Sequence, residues 1–285
     1  MNPSFLAVIV TASSVAGFGL LAVLGVYSAN EFMTSNPFVG LAGVGAAVVL
    51  IAIGVVASLL KAGRPERTFS PLDEWRSPWP PRTDFFGKIT LVSALVFGFG
   101  WGVLGDTDGL WAVAAMLAAI LSMASLICTA MIYGCLRPVR QWFEIWTVPG
   151  FVTFGIMGGT LLAAPIGLAL GETNWLVKYL PTGTIVIAWW FNIIFWDYAL
   201  GSRNLDKAAV EDPALDFPAT GENYLIKDSC FDDARKQTQK WRRKVNVIAF
   251  GLPMAFTLIS LATLKNHEAF SVLMAVAGGI SFLAG

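Results

Sequence analysis

The stretch FVGLAGVGAAVVLIAIGVVASLLKAGRP, residues 38–65, decides the fold. Residues 38–60 carry no charge, and then Lys61, Gly63, Arg64 and Pro65 arrive in quick succession. An apolar helix of about 20 residues is long enough to cross a hydrocarbon core about 30 Å thick. Lys61 marks the depth at which a cation reaches headgroups and water. Gly63 and Pro65 break the helix just beyond it. Other apolar stretches share this form, and together the runs fall at 5–27, 38–60, 85–104, 110–133, 148–170, 183–200, 245–264 and 270–284.

Composition agrees. The protein is 56% hydrophobic and only 13% charged, with a mean hydropathy of +0.66. An ordinary soluble domain is about 25% charged, so that class is excluded. The expected fold is all-α: one polytopic integral membrane bundle of eight transmembrane helices spanning residues 1–285. The first run has no charged leader and no clear small-residue cleavage pattern, so it reads as a retained helix. The last run stops at Gly285 without a polar flank and is short for a bilayer. That predicts a natural protein continuing past this residue, and an intact mass equal to 30.6 kDa would refute it.

The charge pattern orients the bundle. Of nineteen Lys and Arg residues, five lie between the second and third runs with a sixth, Lys88, at the start of the third, two lie between the fourth and fifth, and nine between the sixth and seventh. The opposite loops hold only Lys178 and Lys265. Short loops rich in Lys and Arg stay cytoplasmic, so the basic loops and both termini are expected inside a bacterial cytoplasmic membrane. The alternative is that the basic loops meet an acidic partner outside. Labelling of Cys230 in intact cells by an impermeant thiol reagent would overturn the inside orientation.

Several features read as scaffold. Gly155 and Gly159 form a small-xxx-small pair, and Gly40, Gly43, Gly45, Gly98, Gly100 and Gly102 crowd the second and third runs; such residues let helix backbones approach closely. Tryptophans at run ends fit interfacial belts. Similarly basic loops after the second and sixth runs hint at a duplication, without a convincing residue match between halves. Cys128, Cys135 and Cys230 have neither disulfide nor metal spacing and read as packing residues. An iron–sulfur cluster needs four thiolates, which three cysteines cannot supply. With His267 its only histidine, a haem held by two histidines is not expected in this protein. No phosphate loop, dinucleotide fingerprint or nucleophile–base set is present, and no metal site or nucleic-acid partner is expected.

Candidate chemistry gathers after the second run, in the cytoplasmic loop 61–88. Lys61, Arg64, Glu66, Arg82 and Asp84 collect there with Trp75 and Trp79. One reading is snorkelling cations and belt aromatics. The other is a headgroup pocket for a quinone, which needs a flat apolar cleft, donors for two carbonyl oxygens and a proton route to water. Asp197 lies at similar depth in the sixth run and could line that pocket or pair with a nearby cation.

Residues 56–69, VASLLKAGRPERTF, with WRSPW at 75–79, AMIYGCLRPVRQW at 130–142 and GIMGGTLL at 155–162, resemble the membrane-anchor subunit of dimethyl sulfoxide reductase. Within that family the sequence is most similar to the membrane subunit of the cytoplasmic quinone-linked sulfite dehydrogenase, through the run at 137–142, Asn223-Tyr-Leu and the basic run at 234–244. The resemblance implies an eight-helix anchor that binds ubiquinone or menaquinone and no metal of its own. It implies an iron–sulfur subunit and a molybdopterin catalytic subunit as partners on the cytoplasmic face. In this picture electrons from sulfite oxidation reach the quinone pool, and Arg137, Arg140, Arg235, Lys236, Lys240, Arg242 and Arg243, mostly in the long loop 201–244, dock the iron–sulfur subunit. The family's quinone-site histidine falls on Lys61 here, and its acidic residue falls on Thr83, beside Asp84. Lysine donates to a carbonyl but relays protons poorly near neutral pH. Two other functions remain open: a quinol-oxidising anchor of a reductase, and a small-solute transporter.

Overall fold

A computed structural model describes residues 3–62, 79–134, 145–171, 174–210, 242–263 and 268–284. They form eight apolar helices and no strand among the described residues. The helices are α1 (Pro3–Ala29), α2 (Pro37–Ala62), α3 (Trp79–Phe99), α4 (Leu110–Gly134), α5 (Thr147–Ala169), α6 (Trp175–Val210), α7 (Leu252–Thr263) and α8 (Glu268–Ala284). Seven of these stretches are long and apolar enough to cross a bilayer, and the eighth, Ala269–Phe282, is a shorter apolar helix. The molecule is therefore a multi-span membrane protein.

Local chemistry sets helix ends that hydropathy alone misplaces. Asn36 caps α2, its Oδ1 accepting the Phe38 N–H at 3.0 Å, and Pro37 occupies the first turn, where no N–H is needed. The third helix starts at Trp79 and not at residue 85, because Pro80 and Pro81 suit a first turn. Arg82, Asp84 and Lys88 are thus helical residues rather than loop residues. The sixth helix starts at Trp175 and not at residue 183: Asn174 Oδ1 accepts the Leu176 N–H at 3.1 Å. Lys178 is consequently inside α6. That helix also runs ten residues beyond 200, to Val210. Apolarity ends where the membrane ends, but Leu205, Lys207, Ala208 and Ala209 favour a continued helix in water.

Two helices carry a wide turn. Gly100–Leu104 ends α3 as a π-turn, closed by Gly105 in the left-handed region at φ 68°. Asn246–Gly251 leads into α7 as another.

The packing forms two rings of four. In the first, α1 and α3 each pack on both α2 and α4. In the second, α5 and α7 each pack on both α6 and α8. The order is the same in both halves. The rings meet along α1 and α5, with α4 also touching α5. This seam closes backbone to backbone: a Cβ on Gly19 would overlap the Gly155 carbonyl, and one on Gly159 would overlap the Gly19 carbonyl. The expected packing role of Gly155 and Gly159 holds, and Gly19 is their counterpart. Leu20, Leu24, Ile51, Phe97, Trp101 and Leu126 fill the first ring, all fully buried. Apolar side chains such as Val49, Ile53, Val92, Leu95 and Ile120 face outward, as lipid contact requires.

Candidate functional site

The basic end of the first ring has a floor and a rim. Gly87 of α3 is buried, and a Cβ there would lie 3.8 Å from Phe18 Cζ of α1 and 3.9 Å from Val55 Cγ2 of α2. Phe18 is 3% exposed, so its ring plugs the bundle interior at this depth. Beyond the plug, toward the basic loops, the helices carry polar residues. Lys61 lies six residues past Val55, about 9 Å along α2, and Arg82 lies five residues before Gly87, about 7.5 Å along α3. Two of the residues singled out by charge, Lys61 and Arg82, are thus brought to one boundary, with Trp79 and Asp84 on the same helix start.

The other walls are α1 and α4. Thr11 of α1 precedes Phe18 by seven residues, two turns, so both lie on one helix face. The Thr11 and Tyr133 hydroxyls are 2.7 Å apart. The Tyr133 ring stacks on Phe151 of α5, with centroids 5.3 Å apart and planes at 21°. Arg82 of α3 is half-buried, and Cys128 of α4 is buried. Deeper between α3 and α4, Thr90 Oγ1 meets Ser125 Oγ at 2.8 Å and the Leu121 carbonyl at 3.1 Å. These are bonded hydroxyls that hold two helices together. Sequence reasoning missed Thr11 and Tyr133, because a hydroxyl within an apolar run looks like packing.

The second ring ends differently. Asn192 Nδ2 donates to Asn246 Oδ1 at 2.8 Å, where the π-turn before α7 begins. Trp189 stacks on Phe250 at 6.2 Å and 17°, and Phe154 meets Phe250 at 5.8 Å. Phe250 is 1% exposed. This end is filled. Asp197 stands on α6, which packs on α5 and α7 and makes no substantial contact with α2 or α3 among the described residues. Asp197 and Lys61 therefore belong to different rings. Arg242 rests on the Trp196 ring, its Cζ 5.8 Å from the centroid, while Arg243 is exposed. Arg64, Glu66, Trp75, Arg137, Arg140, Arg235, Lys236 and Lys240 lie outside the described residues, as do Cys135, Cys230 and His267. Cys128 is free and buried.

At the opposite end of the molecule, a cavity of about 650 Å³ is lined by Glu31, Asp106, Thr107, Asp108 and Asn174, among others. It is polar and lies far from the basic boundary. Among the described residues no three His, Cys, Asp or Glu side chains are grouped to hold a metal.

Comparison with known proteins places this architecture. The family described as DMSO reductase anchor subunit (DmsC) matches residues 2–220, which take in α1 through α6. A sulfite dehydrogenase subunit of Allochromatium vinosum is 30% identical over 204 residues, covering 66% of the present sequence and 61% of that protein. A component of the anaerobic dimethyl sulfoxide reductase of Escherichia coli K12 is 27% identical over 144 residues, 48% of each sequence. The matched stretches thus span between about half and three fifths of these relatives. No solved structure matches the protein significantly.

Proposed function

Because the protein belongs to the DMSO reductase anchor subunit (DmsC) family, we propose that it is the membrane-anchor and quinone-binding subunit of a molybdopterin and iron–sulfur oxidoreductase. The observation that carries this reading is the polar rim above an apolar floor at the basic end of the first ring. A quinone headgroup is a flat ring with two carbonyl oxygens. The Phe18–Gly87–Val55 plug offers the flat apolar base. Arg82 and the Thr11–Tyr133 pair lie beyond it and would serve as donors, and Lys61, near the end of α2, would add another. Reduction takes two electrons from an iron–sulfur partner and two protons from water, and the quinol leaves into lipid. The rim faces the loops from which both would come.

The basic residues give the partner its place. Arg235, Lys236, Lys240 and Arg243, with Arg137 and Arg140, supply positive charge that would fix the register of an acidic iron–sulfur subunit. By the loop-charge rule that side is cytoplasmic, so the catalytic subunit works on a cytoplasmic substrate. Similarity to the sulfite dehydrogenase subunit supports sulfite. The similarity to a component of an anaerobic dimethyl sulfoxide reductase favours a second reading, with the same site oxidising quinol for a reductase. Gentle detergent purification followed by metal analysis and a sulfite:quinone assay tests the proposal. Copurified molybdenum and iron with sulfite-dependent quinone reduction is the expected result. A protein that purifies without either metal would refute the anchor role.

A further inference from the structure

We infer that Tyr133 donates the hydrogen bond that fixes one carbonyl oxygen of a quinone in the mouth of the first ring, with Thr11 aiming it. The inference rests on the quinone reading above and adds a ligand-binding residue to it.

The argument is geometric. Phe18 crosses the ring interior from α1 to Gly87 on α3. Thr11 lies on the same face of α1, about 10.5 Å nearer the basic end. Its hydroxyl therefore lies where that interior borders the seam between the rings, above the plug. Tyr133 reaches that hydroxyl at 2.7 Å, so the phenol oxygen sits at the interior rim although its ring lies in the seam between the rings. Deeper in the seam, Gly19 meets Gly155 and Gly159 with backbone against backbone. Toward the basic end the contact changes character. Thr11 is two turns before Gly19, and Phe151 is one turn before Gly155. Here the side chains of Thr11, Tyr133 and Phe151 occupy the seam, all of them half-buried.

The Phe151 stack holds the Tyr133 ring, and the Thr11 contact holds its oxygen. Either oxygen of the pair can donate. Hydroxyl protons reorient by rotation about one bond, so the pair can turn toward an arriving carbonyl without moving a heavy atom. Arg82, half-buried near the start of α3, adds positive charge at the same end of the ring. That charge favours the electron-rich oxygen of the reduced ligand.

Tyr133→Phe tests this with the whole complex, because it removes the oxygen and keeps the stack on Phe151. Ubiquinone and menaquinone analogues are titrated at saturating sulfite, normalised to dye-linked turnover, which reports assembly. One lost hydrogen bond corresponds to a rise in quinone KM of about three- to ten-fold, with kcat largely kept. Thr11→Val should shift KM in the same direction by less. Tyr179→Phe, at an exposed phenol of α6, should shift nothing. A Tyr133→Phe complex with normal quinone turnover and a KM within about two-fold of the parent overturns the role of Tyr133 and leaves the quinone reading standing. A parent complex that turns over dye but reduces no quinone overturns both.

Discussion

The two rings are wound in the same order, yet their basic ends differ. The first ring closes over the small residue Gly87, with Phe18 and Val55 around it, and beyond them carries the half-buried Arg82 and the Thr11–Tyr133 hydroxyl pair, with Lys61 further along α2. The second is packed by Trp189, Phe250 and Phe154, and its polar side chains, the buried Asn192 and the half-buried Asn246, are hydrogen-bonded to each other. Bonded amides inside aromatic packing make a strut. Hydroxyls and cations above an apolar floor offer the donors that the proposed quinone site needs. Duplicated topology therefore does not duplicate chemistry; what differs is the kind of polar group carried at each basic end.

Substitutions can break this contrast, beginning with the seam both rings share. Gly19→Leu would drive a side chain into the Gly155 backbone, which cannot yield as a side chain can. Overpacking of a tight core costs about 1–3 kcal/mol, and a backbone clash belongs at the top of that range or above it. The expected result is loss of monodisperse protein in detergent, read by size-exclusion chromatography. Lys61→Ala should leave assembly intact and lower quinone-linked turnover about ten-fold, the scale of one hydrogen bond from a charged donor. Dye-linked turnover is the reference, and unchanged quinone kinetics would remove Lys61 from the site. In the second ring, Asn192→Leu should cost about 0.6–1.7 kcal/mol of stability by thermal unfolding, the range for hydrogen bonds between membrane helices. Quinone KM should not move; a shifted KM would place the ligand in the wrong ring. Arg242→Ala removes a cation–π contact worth about 0.5–1 kcal/mol. Its expected effect is a small, salt-sensitive weakening of partner attachment in pull-down assays.

Much of the fold was legible in the sequence because the bilayer demands uncharged runs of fixed length. Helix ends were less so. Hydropathy reports where a polypeptide leaves lipid, whereas Pro80, Pro81 and Asn174 act through backbone capping. The Gly155–Gly159 pair could be read as a packing surface, but its counterpart Gly19 could not be identified without the pairing of distant helices. The same limit applies to the site. Lys61, Arg82 and Asp84 fall near one depth along α2 and α3 because charge is confined to the membrane boundary. Thr11 and Tyr133 stand 122 residues apart, and each alone is an ordinary polar residue at the end of an apolar helix.

The most direct measurement is photolabelling of the purified complex with an azido-quinone, followed by peptide mapping of the anchor. Adducts are expected in α1, α2, α3 or α4 near Thr11, Lys61, Arg82 or Tyr133, competed away by unlabelled quinone. Competable adducts confined to α6, α7 or α8 would contradict a quinone site in the first ring.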